Sequence, residues 1–348
     1  MDKMNIGIMR NGAKPSYLVE LIAIYSKAYD VNIIYMSPKD INIAKGTVSG
    51  KTLVNGDWIK IQTKIPKFID ISQFCFKKKN REIIEYLRNN VLLSDNGLNR
   101  NNKLKFIKEV KKDKKLNHLV IPTQKVNSIG DIITFMDKYQ EAILKPIAGQ
   151  FGRDIFLLKK DREKGYKLHQ GTEERYLTRD DLYTLFEENL STKKYIIQKF
   201  IHSITKQGYP FDCRINVEKN GKGEWSTARM FIRIGIGQKV VSNISQGGAV
   251  SKLKSFLNAN FPVEQVKVIE QRLKEIAKTV PLKVEELRKQ QLMTLGIDVG
   301  IDRDGSVYLF EVNGAPGTSQ LRAEVAELRA QYYSFIKNKI QFEQKGVK

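Results

Sequence analysis

Apolar residues first gather in the short run Ile6-Gly-Ile-Met9, and then recur at helical spacing over residues 17–28, behind a Ser16 that can cap a helix. A second apolar run over 31–36 completes a βαβ opening. The intervening loop, Arg10-Asn-Gly-Ala-Lys-Pro, has one glycine rather than three spaced ones, so a dinucleotide site is not expected there. Residues 51–62 alternate on either side of Asn55-Gly56, a hairpin signal, and 67–71 read as another strand. Over 77–115 the pattern predicts two helices broken at Ser94-Asp-Asn-Gly97. After Pro122 the alternation resumes, with a helix over 129–139, strands over 142–145 and 155–159, a helix over 178–190 and a strand over 195–200. Two hairpins follow, 212–217 with 225–234 and 297–301 with 307–312, separated by a helix over 263–278. A helix over 321–339 closes the chain, and no fixed-period repeat is visible.

Composition narrows the classes. The 348 residues, 41% hydrophobic and 28% charged, can bury a sizeable core in two or three domains, which excludes collagenous and wholly disordered chains. The 60 Lys+Arg against 38 Asp+Glu give a net charge of +22, which suits an anionic partner such as a nucleotide, nucleic acid, acidic peptide or membrane surface. A lysine- and isoleucine-rich proteome would produce the same surplus. Within 77–115 there are 13 basic and 5 acidic residues, a net of +8, but no interleaved aromatics that could stack bases, so nucleic acid is not expected. Cys75 and Cys213 make neither a disulfide framework nor a zinc site, and a reducing cytoplasm fits best. His118, His169 and His202 are too scattered for a His-based hydrolase. No leader-like start and no run of 18 uncharged apolar residues occurs, so neither export nor a membrane span is expected.

The densest chemistry lies in residues 296–317. If the two strands pair across a regular turn, Asp298 lies opposite residue 309 or 311, and Glu311 and Asn313 share its face. Two anions side by side on a half-buried sheet are costly unless a cation sits between them, and all-oxygen ligands suit a hard ion such as Mg²⁺. A bulge at the turn would flip that parity. Counted from Gly300, Asp302, Asp304, Gly305 and Glu311 also fall at positions 3, 5, 6 and 12 of an EF-hand loop, but the first position is glycine and the flanks read as strands, so calcium is not expected. A plain turn with a solvated Glu311 explains the same residues. Upstream, Lys145 ends a strand just before a loop with Gly149, Gln150 and Gly152, where backbone N–H groups could close around phosphate oxygens. Its spacing is not that of a P-loop.

Taken in order, the Lys145-Pro strand end with its glycine loop and the Asp298, Glu311, Asn313 hairpin resemble the ATP-grasp superfamily, and within it the YheC/YheD-type, endospore coat-associated proteins. Asn102-Lys103, Ile121-Pro-Thr123, Tyr195-Ile-Ile-Gln198, Pro210-Phe-Asp-Cys-Arg214, Trp225, Arg233-Ile234, Asn243 and Gly247-Gly248 add to the likeness, which covers roughly residues 102–317. The resemblance implies a mixed α/β and α+β architecture: two α+β lobes holding ATP between them, preceded by a small Rossmann-like pre-ATP-grasp domain. The corresponding spans are 1–97, 98–198 and 199–348. It also implies an ATP-dependent carboxylate–amine ligase that forms an acyl phosphate, its alternative being a structural, nucleotide-binding spore-coat-type protein.

Carried over residue by residue, Lys103 and Lys145 resemble the nucleotide lysines, Gly149, Gln150 and Gly152 the loop closing over the phosphates, and Gln198, Lys199 and Ile201 the linker that reads adenine. Many members have Glu where this chain has Gln198. Asp298, Glu311 and Asn313 match the ligands of two Mg²⁺ ions, and Arg214 the arginine at the γ-phosphate or acyl phosphate. In D-alanine–D-alanine ligases an arginine precedes the metal aspartate by two positions; here Gly296 stands there, leaving Arg214 or Arg233 to stabilise an oxyanion. Small-molecule or peptide carboxylates and amines are the implied partners, in a cytoplasmic or spore-associated setting.

Overall fold

The structure, a computed structural model, describes residues 4–99, 103–147, 154–171, 173–191, 194–235 and 248–345. The chain opens with the βαβ unit its pattern predicts: β1 (Met4–Met9) and β2 (Val31–Met36) lie parallel, linked by α1 (Tyr17–Lys27). After β3 (Ile41–Asn42) come β4 (Thr47–Val54) and β5 (Asp57–Lys64), a hairpin whose turn puts Asn55 at φ 50 and Gly56 at φ 94, the backbone that Asn-Gly adopts most readily. Then β6 (Phe68–Ile71), α2 (Arg81–Asn90) and β7 (Leu92–Leu93) follow. The sheet runs β3-β4-β2-β1-β6-β7 with β5 added on β4, and its β2-β1-β6-β7 part is parallel. Both faces of these strands are covered, which is why they read as unbroken apolar runs rather than alternation.

Next, α3 (Lys103–Lys112) leads to the second sheet. Its elements are β8 (Thr123–Val126), α4 (Ile129–Tyr139), β9 (Glu141–Pro146), β10 (Phe156–Asp161), β11 (Gly165–Gln170), β12 (Glu173–Leu177), α5 (Arg179–Leu185) and β13 (Tyr195–Lys199). The order is β12-β11-β10-β9-β13-β8, antiparallel throughout. Capping boxes at Ser128/Asp131 and Thr178/Asp181 start the two helices that cover this sheet.

The third sheet is built from β14 (Phe211–Lys219), β15 (Trp225–Ile234), β16 (Ala249–Lys252), β17 (Thr294–Ile301) and β18 (Val307–Asn313), with α6 (Leu253–Asn260) and α7 (Val263–Arg288) between, and α8 (Arg322–Lys345) last. Its order, β16-β15-β14-β17-β18, puts β14 at the centre, and every residue of β14 is buried. Helix α7 outruns its predicted span and continues through Pro281, because Val280, Pro281 and Val284 prolong the apolar stripe into the same core. Packing also joins distant stretches. Val110 and Leu116, at and after the end of α3, pack in the core of the third sheet, while Ala326, Tyr332, Tyr333 and Ile336 of α8 pack with Ile6, Ile8 and Val19 of the first unit.

Candidate active site

On the second sheet, β9 and β13 pair so that Lys145 lies opposite Ile196 and Gln198 opposite Ile143, which places Lys145 and Gln198 on one face. Lys145 Nζ donates to Gln198 Oε1 at 2.7 Å, and Gln198 Nε2 donates to Thr123 Oγ1 at 2.8 Å. A glutamine serves well here: its oxygen receives the lysine while its amide nitrogen reaches the third strand, which a carboxylate could not do. The Lys199 N–H donates to Pro122 O at 3.0 Å, and Ile201 follows, buried, where the chain leaves the sheet. Lys103 is the first residue of α3; its side chain, like Gly149, Gln150 and Gly152, lies outside the described residues.

The third sheet gathers the remaining candidates. Near the turn of the β17–β18 hairpin the pairs are Ile301–Val307, Gly300–Tyr308 and Val299–Leu309, the parity opposite to that of a regular turn. A bulge at Phe310 then moves the register by one, so that Asp298 faces Glu311 and Gly296 faces Asn313. The predicted convergence is present, through a bulge the sequence pattern did not show. Its cause is local: Gly300 leaves space for the Phe310 ring, whose Cζ lies 2.1 Å from where a Cβ at residue 300 would stand. Asn313 Nδ2 is 3.4 Å from Asp298 Oδ2, and Glu311 and Asn313 are half-buried.

Arg214 lies opposite Asp298 across β14–β17 and grips it with two bonds, Nε to Oδ1 and Nη2 to Oδ2, the latter 3.0 Å long. From β15, Arg233 Nη2 reaches Asp298 Oδ2 at 3.1 Å and Asp212 Oδ2 at 2.7 Å, while its Nε donates to Asp212 Oδ1 at 2.7 Å. All four groups are buried. Burial opposes the Arg233 charge, yet the Asp212 and Asp298 carboxylates raise its pKa and keep it a cation. The repulsion argument for a metal is therefore answered within the chain, since guanidinium groups already sit beside Asp298; what still suits a hard cation is the all-oxygen set of Asp298, Glu311 and Asn313. Among the described residues, no group of three or more His, Cys, Asp or Glu side chains is arranged to hold a metal ion.

Asp212 is the member of this cluster to which the sequence alone assigns no role. Its signal was present, since it stands two residues before Arg214 on the same strand and hence on the same face. Gly296 also becomes intelligible: a Cβ there would come within 2.6 Å of Pro316 Cβ and 3.5 Å of Arg214 Nη1, so Arg214 occupies the space beside that position. Cys213 points to the opposite face, is wholly buried, and burial pushes its thiol far up, so it is no nucleophile.

A second charged cluster lies deeper. Arg329 of α8 donates to Glu218 Oε2 at 3.1 Å and Oε1 at 3.2 Å, and reaches Asp70 Oδ2 at 3.5 Å. Asp70 also takes Arg10 Nη2 at 2.9 Å and the Tyr333 hydroxyl at 2.7 Å, and Glu218 takes Thr294 Oγ1 at 2.7 Å. It ties α8 and the first sheet to the strand that carries Arg214.

Residues 96–344 match the family model described as YheC/D like ATP-grasp. The chain is 25% identical over 335 residues to the endospore coat-associated protein YheC of Bacillus subtilis (strain 168), covering 92% of this chain and 91% of that one. It is 28% identical over 233 residues to the tetrahydromethanopterin:alpha-L-glutamate ligase of Methanocaldococcus jannaschii, covering 64% and 72% respectively. Among solved structures, the ATP-grasp ligase PsnB complexed with a minimal precursor matches with a TM-score of 0.55 at 11% identity, covering 96% of this chain and all of that one, a likeness of fold.

Proposed function

The chain belongs to the YheC/D-like ATP-grasp family, and from that membership we propose that it is an ATP-dependent carboxylate–amine ligase working through an acyl phosphate. The observation that carries this is the convergence of Arg214, Asp298, Glu311 and Asn313 on one face of the third sheet. A scaffold has no need of such a cluster, whereas phosphoryl transfer depends on positioning and electrostatics of this kind. In the reaction a substrate carboxylate oxygen attacks the γ-phosphorus and ADP departs; an amine then attacks the acyl carbon, phosphate leaves, and the amine gives up a proton.

Lys103 and Lys145 would flank the nucleotide phosphates, with Gly149, Gln150 and Gly152 closing over them and excluding water from the acyl phosphate. Gln198, Lys199 and Ile201 would meet the adenine edge. Because the Lys199 N–H is spent on Pro122, that contact falls to its carbonyl or to Ile201. Arg214 has its Nη1 edge to offer developing phosphoryl charge, and Arg233 braces Asp298. Asp298, Glu311 and Asn313 would hold Mg²⁺, which when bound would supply positive charge against the phosphoryl oxygens. Spans 1–97, 98–198 and 199–348 are assigned to the pre-ATP-grasp domain and the two lobes, α8 returning to pack on the first. Substrates are small-molecule or peptide carboxylates and amines. The setting is cytoplasmic or spore-associated; among the described residues no helix is long and apolar enough to cross a membrane.

The test is ADP release that requires both an acid and an amine, abolished in Glu311→Ala with the fold retained. Unchanged turnover in that variant would end the site assignment. Stoichiometric Mg·ATP binding with no ADP from any acceptor would support a structural spore-coat-type role instead.

A further inference from the structure

Asn216 stands two residues beyond Arg214 on β14 and thus on the same face of the sheet. It is fully buried, and among the described residues neither its Nδ2 nor its Oδ1 has a hydrogen-bond partner. A carboxamide left so is costly, and leucine would fill nearly the same space without the penalty. Its neighbours show where the unmet groups lie. Directly opposite on β17 is Gly296, which has no side chain to intrude, and the space beside it is bounded by Pro316 and by Arg214 Nη1. Arg214 spends Nε and Nη2 on Asp298, so Nη1 has no partner among the described residues. Unspent donors and an unspent acceptor therefore adjoin one another beside Pro316, which lies in the segment 314–320 of mostly small residues. Arg229, opposite Asn216 on β15, ties that segment down through the Gln320 carbonyl and pairs with Glu324 of α8 at 3.7 Å.

A carboxamide presents a donor and an acceptor side by side. The complement is an acceptor and a donor side by side, as in the C=O and N–H of a single residue in an extended peptide. We propose that Asn216 and Arg214 Nη1 form a subsite for a peptide acid: Asn216 reads one residue's C=O and N–H once the 314–320 segment shifts, and Arg214 Nη1 meets the adjoining carboxyl group. This rests on the ligase reading above and adds a substrate class to it. A plain dicarboxylate supplies no N–H for Oδ1, and a site built around a hydrogen bond discriminates strongly against a substrate that lacks it.

The experiment uses the full chain with Mg·ATP and hydroxylamine as the amine, which converts the acyl phosphate to a hydroxamate with release of phosphate. The probes are Nα-acetylglutamate N-methylamide and its aspartate counterpart, against glutarate and succinate. Wild type should favour the capped residues by about tenfold or more in kcat/KM, and Asn216→Leu should erase that preference chiefly through KM, with Mg·ADP affinity kept within about twofold and Tm unchanged or raised. Asn216→Asp keeps the shape and the acceptor but loses the donor, and should lose most of the same preference. Equal use of both probe classes by wild type, a preference that survives both substitutions, or no hydroxamate from either class while Mg·ADP still binds would overturn the subsite. Failure of wild type to bind Mg·ADP at all would overturn the ligase reading itself.

Discussion

Two networks in this molecule have the same composition, two arginines against two largely buried carboxylates, and different surroundings. In the first, Arg214, Arg233, Asp212 and Asp298 lie on one sheet, and its edge opens onto half-buried Glu311 and Asn313, with Arg214 Nη1 unspent among the described residues. In the second, Arg10, Arg329, Asp70 and Glu218 join two sheets and α8, and Tyr333 and Thr294 complete the ring of donors. The first has an edge at which a ligand's charge can meet a guanidinium; in the second Asp70, Glu218 and Arg329 are enclosed and only Arg10 is partly exposed. Identical charge chemistry can thus meet a ligand where an edge is open, and hold elements together where its carboxylates are enclosed.

The sharpest break comes from Asp298→Asn, which keeps the shape but removes the charge: turnover should fall about 10³-fold or more, about 4 kcal/mol of transition-state stabilisation, while Tm moves by only a few degrees. Arg329→Met should do the reverse. It leaves the fully buried Glu218 without its cation and Asp70 with Arg10 alone, costing about 3–5 kcal/mol in denaturant unfolding, with the remaining folded enzyme still active. Equal stability losses in the two variants would erase the distinction between an open and a closed network.

The two networks were unequally legible in the sequence. Asp298, Glu311 and Asn313 sit on one hairpin, where strand alternation suffices to place them on one face, and Arg214 joined them through the family pattern. The Phe310 bulge was not legible, because it follows from a ring fitting over Gly300, a contact between side chains rather than a pattern along one strand. Arg329 and Asp70 are separated by 259 positions, and nothing periodic connects them. The sequence predicted α8 as the closing helix; that it fills the first unit's core depends on tertiary packing that local spacing does not encode. The βαβ opening and the Asn55-Gly56 hairpin, both local, were read correctly.

Acid separates the networks next. Burial alone would raise the Asp70 pKa, but the charges of Arg10 and Arg329, with hydrogen bonds from Arg10 and Tyr333, lower it from 3.8 to about 2. A group depressed in the fold stabilises it fully above its unfolded pKa and loses that contribution as the pH falls through the folded value. Asp70 should therefore contribute on the order of 2 kcal/mol above pH 4, fading between about pH 4 and pH 2. Unfolding free energies of wild type and Asp70→Asn, measured across that window, should converge as the pH falls. Curves that stay parallel through it would remove the ion pairs as the source of the closed network's cohesion.

The smallest effect tests how completely the second network is closed. Tyr333→Phe deletes one hydroxyl donor and leaves both arginines on Asp70, so the loss at neutral pH should be about 1 kcal/mol, less than a charged hydrogen bond is worth alone because the phenol's own desolvation is also relieved. Burial holds that hydroxyl protonated well above its ordinary value of 10.0, so it remains a donor at every working pH. The variant's Asp70 should titrate closer to 3.8, and its stability deficit should shrink once the carboxyl is protonated in both proteins. Turnover should not move, since Tyr333 lies on α8 in the core shared with the first unit. A change in kcat would mean that the closed network also positions the strand bearing Arg214, because Glu218 stands on that strand four residues further on.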